Sequence, residues 1–202
     1  MDRNAFVTAY LEQETAIERI AQRAGECHRQ VNQYYNHFLP YEFHLRLVAS
    51  YVTRYGHLLD ITTDQLQTIY AAAYYHDSIE DARLSFHDVE EEFAQLNAQG
   101  CQIDIPTAAE AVYALTNEKG RTREERANER YYEGIRQTRY APFLKLCDRL
   151  GNLHASTLFG VQQRMTAVYE KEFPDFIAHL GNVPQEMVER ARQFFHEGIR
   201  RS

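Results

Sequence analysis

The stretch TIYAAAYYHDSIED, Thr68–Asp81, joins an almost unbroken apolar run to one imidazole and three carboxylates packed into its last six residues. A segment that is apolar on every face belongs inside a helical core, so TIYAAAYY reads as a buried helix. The polar tail attached to it is then anchored in the interior and does not trail into water. His76 and Glu80 are four residues apart, as are Asp77 and Asp81, which on a continued helix puts two polar pairs on neighbouring faces. An adjacent His-Asp pair suits one divalent cation such as Mn²⁺, Fe²⁺ or Zn²⁺, provided other segments supply further ligands.

Working outward, apolar residues recur at spacings of three and four nearly everywhere and strand-like alternation is scarce, so the chain reads as all-α. One helix is expected over 5–24, with Phe6, Tyr10, Ile17, Ile20 and Ala21 in a stripe and Gly25 as its stop, and another over 26–38. Pro40 permits a start, and Leu45, Val48, Ala49 and Val52 give 41–55 helical spacing, with Gly56 after it. Thr62 with Gln65 forms a capping-box pattern for a helix to Tyr75, and Ser85 with Asp88 forms another. Pro106 and Thr107 open a helix to Leu115, and Thr116–Arg123 (TNEKGRTR) reads as a surface loop. Thr122 with Glu125 caps a helix to Gln137. Pro142 starts one over 141–155, and helices over 156–171 and 184–199 follow, interrupted by Pro174, Gly181 and Pro184. Without repeats or a linker, residues 1–202 read as a single domain with its core over about 25–160.

Composition bounds the function. Of 202 residues, 44% are hydrophobic and 25% charged, which excludes disordered and disulfide-stapled classes. The net charge of -7 argues against nucleic acid as the main partner, though not against a small polyanion. No run of about 18 apolar residues exists and the N-terminus is amphipathic and acidic, so neither a membrane span nor export is expected. Cys27, Cys101 and Cys147 are too scattered for a zinc ribbon or a disulfide frame and fit buried thiols in a reducing cytoplasm.

Two further segments offer ligands. PYEFHLRLVA, Pro40–Ala49, places His44 at the start of an otherwise apolar helix. LKLCDRLGNL, Leu144–Leu153, places Asp148 inside an apolar stripe, where aspartate is rare unless paired or metal-bound. Lys145, three residues back, and Asn152, four residues on, would flank that carboxylate. A second His-Asp pair, His87-Asp88, follows a cap and reads as a helix N-terminus.

The order His44, His76-Asp77, Asp148 resembles the HD-domain metal-dependent phosphohydrolases. The blocks PYxxHxxxVA, HDxxED and LKxxDRLxNL, spread over about residues 25–160, are similar to the hydrolase domain of the RelA/SpoT alarmone enzymes and above all to the small stand-alone alarmone hydrolases. That resemblance implies an HD-domain helical bundle in which His44, His76, Asp77 and Asp148 hold one Mn²⁺, Fe²⁺ and Zn²⁺ being compatible with the same donors. Glu80 and Asp81 would serve the attacking water and the leaving group, and Asn152 would contact the nucleotide or orient a ligand. Lys145 would neutralise phosphate, unless it only snorkels along its helix. Arg126 follows the loop in a Glu-Arg pair like that of the stand-alone members, and Tyr35 could stack a purine. The implied activity is hydrolysis of the 3′-pyrophosphate of (p)ppGpp-type alarmones. The alternatives are a nucleotidase acting on another nucleotide and a catalytically idle nucleotide-binding module. Keeping Glu80 and Asp81 together beside four ligands favours an enzyme.

Two positions depart from the family pattern. Residues 34–39, YYNHFL, replace a basic residue and Ser-Gly turn, and His154 stands where an arginine is common, so base and ribose contacts are expected to differ. Between Glu118 and Arg149 lie nine basic residues (Lys119, Arg121, Arg123, Arg126, Arg130, Arg136, Arg139, Lys145 and Arg149) against six acids (Glu118, Glu124, Glu125, Glu129, Glu133 and Asp148), a local balance of +3 that suits a polyphosphate. Val188, Ala191, Phe194, Phe195 and Ile199 give the last helix a broad apolar face, for core packing or a homodimer contact. At 202 residues the chain is expected to stand alone, without synthetase or regulatory domains.

Overall fold

The computed structural model describes residues 1–117, 119–159 and 163–199, with Phe159, Gln163, Arg164, Gly198 and Ile199 as backbone alone. Glu118, one of the six acids, and the side chain of Ile199 therefore lie outside the described residues. Helices account for most of the chain: α1 (Arg3–Glu12), α2 (Glu14–Gln30), α3 (Glu42–Tyr55), α4 (Leu66–Tyr75), α5 (Phe86–Ala98), α6 (Ile105–Leu115), α7 (Arg123–Arg126), α8 (Glu129–Gln137), α9 (Ala141–Phe159), α10 (Gln163–Leu180) and α11 (Gln185–Ile199). The all-α expectation holds, apart from a hairpin of two-residue strands, β1 (Tyr34–Tyr35) and β2 (Leu39–Pro40).

Every residue of α4 is buried, because α2, α3 and α6 pack around it. The tyrosine-rich apolar run thus occupies the centre, and α3 in turn packs on α9 and α9 on α11. Both early capping boxes are present: Thr62 with Gln65 opens a short 3₁₀ turn leading into α4, and Ser85 with Asp88 opens α5. His87, with its side chain 76% exposed, belongs to that second cap, as its position suggested.

Several boundaries differ from the sequence reading. Gly25 lies inside α2 and does not end it. A Cβ there would sit 2.3 Å from the Glu42 Cγ, so the glycine makes room for the first turn of α3. No helix covers 26–38: α2 stops at Gln30, and Asn32, Asn36 and His37 take left-handed backbone conformations that fold the following residues into the hairpin. The helix expected from Thr122 to Gln137 is two helices, since the Asn128 side chain accepts from the Tyr131 N–H and starts a second cap. Residues 156–159 continue α9, and Pro174 lies within α10 where an interruption was expected. Residues 160–162 lie outside the described ones.

The apolar face of α11 is used within the chain. Met187, Val188, Ala191, Phe194 and Phe195 are all buried against the core, which is the core-packing alternative for these residues.

Near the opposite side of α4, Glu92 is 8% exposed and accepts two hydrogen bonds of 2.6 Å from Arg23 as well as one from the Tyr75 hydroxyl. Removing one partner of such a pair strands the other. Arg23→Ala is expected to cost about 3 kcal/mol, the low end for a buried pair because the arginine is partly exposed. A urea-melt midpoint matching the wild type would show that the pair contributes nothing.

Candidate metal centre

Three helices converge on one point. His44 lies in the first turn of α3, His76 caps the C-terminus of α4 with Asp77 next to it, and Asp148 projects from the middle of α9. Beyond Tyr75 the chain keeps coiling, with the Asp81 N–H donating to the Asp77 carbonyl at 2.8 Å and the Ala82 N–H to the Ser78 carbonyl at 3.1 Å. Arg83, in a left-handed conformation, ends the coil. This local geometry keeps Asp77 and Asp81 on one side, as their spacing implied.

The Nε2 atoms of His44 and His76 face each other at 3.2 Å. Asp77 Oδ2 lies 3.3 Å from the first and 3.0 Å from the second, while Asp148 Oδ1 lies 3.4 Å and 3.8 Å away. Ligands about 2.0–2.2 Å from a shared cation stand about 3–3.5 Å apart, so the separations of His44, His76 and Asp77 fit one divalent ion, with Asp148 within reach of His44 and farther from His76. The donor set fits too. The Ala73 carbonyl sits 2.8 Å from His76 Nδ1 and fixes the proton there, leaving Nε2 free to ligate. Two imidazoles and two carboxylates accommodate Mn²⁺, Fe²⁺ or Zn²⁺ alike.

Electrostatics point the same way. Burial by itself would depress His44, yet hydrogen bonds to Asp148 and Asp77 outweigh it and raise its pKa to about 9. Burial would likewise raise both aspartates, but the imidazoles beside Asp77, and Lys145 and His44 beside Asp148, hold them well below the usual carboxylate range. The cluster is therefore a buried trap for positive charge.

Glu80 and Asp81 behave differently. Both are raised, primarily by burial and then by the neighbouring Asp77 charge in the case of Asp81. The Asn117 amide holds Glu80 by both oxygens at 2.9 and 3.1 Å. The Tyr41 hydroxyl bridges Asp77 Oδ2, at 2.7 Å, and Asp81 Oδ2. Gln33 completes the Asp81 environment at 3.2 Å.

Above the cluster lies a cavity of about 260 Å³ that opens beside a groove of about 460 Å³, the two sharing Arg123, Ala127 and Tyr132. Lys145 is no surface lysine: its side chain is 15% exposed, with Nζ 3.4 Å from Asp148 Oδ2. Asn152 donates to Asp148 Oδ1 at 2.7 Å and accepts from the Tyr35 hydroxyl at 2.9 Å. The Tyr35 ring stacks on His44 with centroids 4.9 Å apart, so one face of it is already covered. Arg126 is exposed and lines the cavity, its Nε donating to the Thr122 carbonyl.

Of the nine basic residues, only Arg123, Arg126, Lys145 and Arg149 line this cavity. Arg136 instead pairs with Glu129, and Arg139 reaches Gln65. His154 lines neither space and stacks on Phe194, so its departure from the family pattern concerns packing on α11. Sequence reasoning passed over Tyr41 and Asn117. The first stood in plain view beside Pro40, three residues before His44, whereas Asn117 lies in a polar loop with no local signal.

No family model matches the chain, and no curated protein matches it by sequence. Among solved structures it is similar to a metazoan ortholog of SpoT that hydrolyses ppGpp and plays a role in starvation responses. The TM-score is 0.64 and the identity 22%, over 90% of this chain and 94% of that one. By its fold, then, this chain is an all-α bundle built like that SpoT ortholog.

Proposed function

We propose that the protein is a divalent-metal-dependent hydrolase that removes the 3′-pyrophosphate of guanosine 3′,5′-bis(diphosphate)-type alarmones. The observation that carries this reading is the convergence of His44, His76, Asp77 and Asp148 beside Glu80 and Asp81, under a cavity lined by cations in a chain of net charge -7. The SpoT ortholog that shares the fold hydrolyses ppGpp, which supports the same substrate class here.

The four ligands would hold one cation, with Mn²⁺ as the assignment from family resemblance. Such a cation polarises a phosphoryl oxygen and lowers the pKa of water. Glu80, fixed by Asn117, accepts a proton from the attacking water. Asp81, whose pKa is raised by burial and by the Asp77 charge, delivers one to the ribose 3′ oxygen as its bond to phosphorus breaks. The products are pyrophosphate and a nucleoside 5′-diphosphate with a free 3′ hydroxyl. Lys145 offsets phosphoryl charge, Arg126 meets phosphate at the rim, and Asn152 keeps Asp148 oriented. Tyr35 walls the cavity.

No helix among the described residues is long and apolar enough to cross a membrane. Three buried free cysteines are consistent with a reducing compartment, and we place the protein in the cytoplasm.

Incubation with guanosine 3′,5′-bis(diphosphate) and Mn²⁺ is expected to yield pyrophosphate and guanosine 5′-diphosphate, and EDTA to stop it. Orthophosphate or triphosphate from other nucleotides would mark a nucleotidase instead. A metal-loaded protein that binds the nucleotide and releases nothing would be a binding module.

A further inference from the structure

Arg149 directly follows Asp148, and one residue along a helix turns its side chain away from the cluster toward α10. It is 7% exposed and lies between the rings of Tyr169 and Phe176, 4.1 Å from each centroid. Its Nη1 has no hydrogen-bond partner, and no carboxylate pairs with it among the described residues. Two other cavity cations are compensated, Lys145 by Asp148 and Arg123 by Glu172, and Arg126 is exposed. Aromatic faces attract a guanidinium from above and below but leave its in-plane N–H groups unsatisfied. A buried charge is costly unless something pairs with it. Because Arg149 lines the cavity, the missing acceptor can come from a ligand.

Arg123 lies beside it. Its guanidinium stands 5.3 Å from the Tyr169 ring that Arg149 also covers, and it lines both the cavity and the adjoining groove. We infer that Arg149, with Arg123 beside it, anchors a second anion subsite that takes the uncleaved diphosphate of a nucleotide phosphorylated at two positions. This deepens the hydrolase reading and rests on it for the identity of the substrate. The fork of Arg149 would grip the 5′-diphosphate bidentately, at the junction of cavity and groove. Selectivity for doubly phosphorylated nucleotides follows, since a ligand lacking that group leaves Arg149 unpaired.

The test uses guanosine 5′-diphosphate as the probe and calorimetry on the full chain in EDTA, so that it does not depend on catalysis. Arg149→Met keeps an unbranched side chain between the two rings and is expected to weaken binding about 10- to 100-fold. Arg149→Lys, which keeps the charge but not the fork, should fall between and carries the test if the methionine variant does not fold. In turnover, Arg149→Met should raise KM for the bis-diphosphate while kcat, and KM for a nucleoside 3′-pyrophosphate, stay near wild type. Wild-type affinity in both variants, or no binding of the probe by the wild type, would overturn the subsite. Loss of probe affinity in a chain that hydrolyses nothing would sink the hydrolase reading and leave the subsite standing.

Discussion

Asp148→Ala is expected to strip the protein of stoichiometric divalent metal and to lower alarmone hydrolysis on the order of 1,000-fold or more. Altering residues behind a metal ligand already costs about 10–100-fold in affinity or activity, and here a ligand itself is removed. The carboxylate also compensates three groups at once: His44 at 3.4 Å, Lys145 at 3.4 Å and the Asn152 amide at 2.7 Å. Its loss removes that partner from the buried His44 and Lys145. Elemental analysis of the purified variant, with a thermal melt to establish folding, separates metal loss from unfolding. Unchanged hydrolysis would show that the reaction happens elsewhere.

Glu80→Gln should act on the chemistry and spare the metal. Glutamine has nearly the same shape and can still meet Asn117, which now holds both carboxylate oxygens, but it cannot accept a proton. General-base contributions are typically about 100- to 10,000-fold, so kcat should fall by that amount with metal content retained and KM little changed. The opposite pattern, metal lost and kcat restored by excess Mn²⁺, would recast Glu80 as a support of the centre.

These effects concern the part of the molecule most legible in its sequence. A cation site restricts residue types to imidazole and carboxylate, and an aspartate in an apolar stripe such as Leu144–Leu153 is conspicuous because burial without a partner is costly. His44, His76, Asp77 and Asp148 could therefore be picked out singly, and the helices that carry them bring their imidazole nitrogens and carboxylate oxygens together. Gly25 was misread because a glycine after an apolar stripe usually ends a helix, whereas here it accommodates Glu42 from the next one. The hairpin at 34–40 escaped notice for a related reason: three left-handed residues, two of them asparagine, redirect the chain where periodicity alone suggested a continued helix.

By itself the sequence determined what acts within a turn or two of chain. The all-α class follows from apolar spacing, and the starts of α5, α7 and the 3₁₀ turn ahead of α4 follow from hydroxyl caps three residues before their Asp, Glu or Gln partners. Only the tertiary structure decided which cations meet the cavity and which face of α11 is spent on the core. In the stretch from Lys119 to Arg149, Arg149 and Arg139 are equivalent as letters. One is enclosed by Tyr169 and Phe176 from a later helix, and the other reaches Gln65 at the surface. That difference depends on how α9 lies against α10, and helix packing joins residues whose separation along the chain carries no local signal.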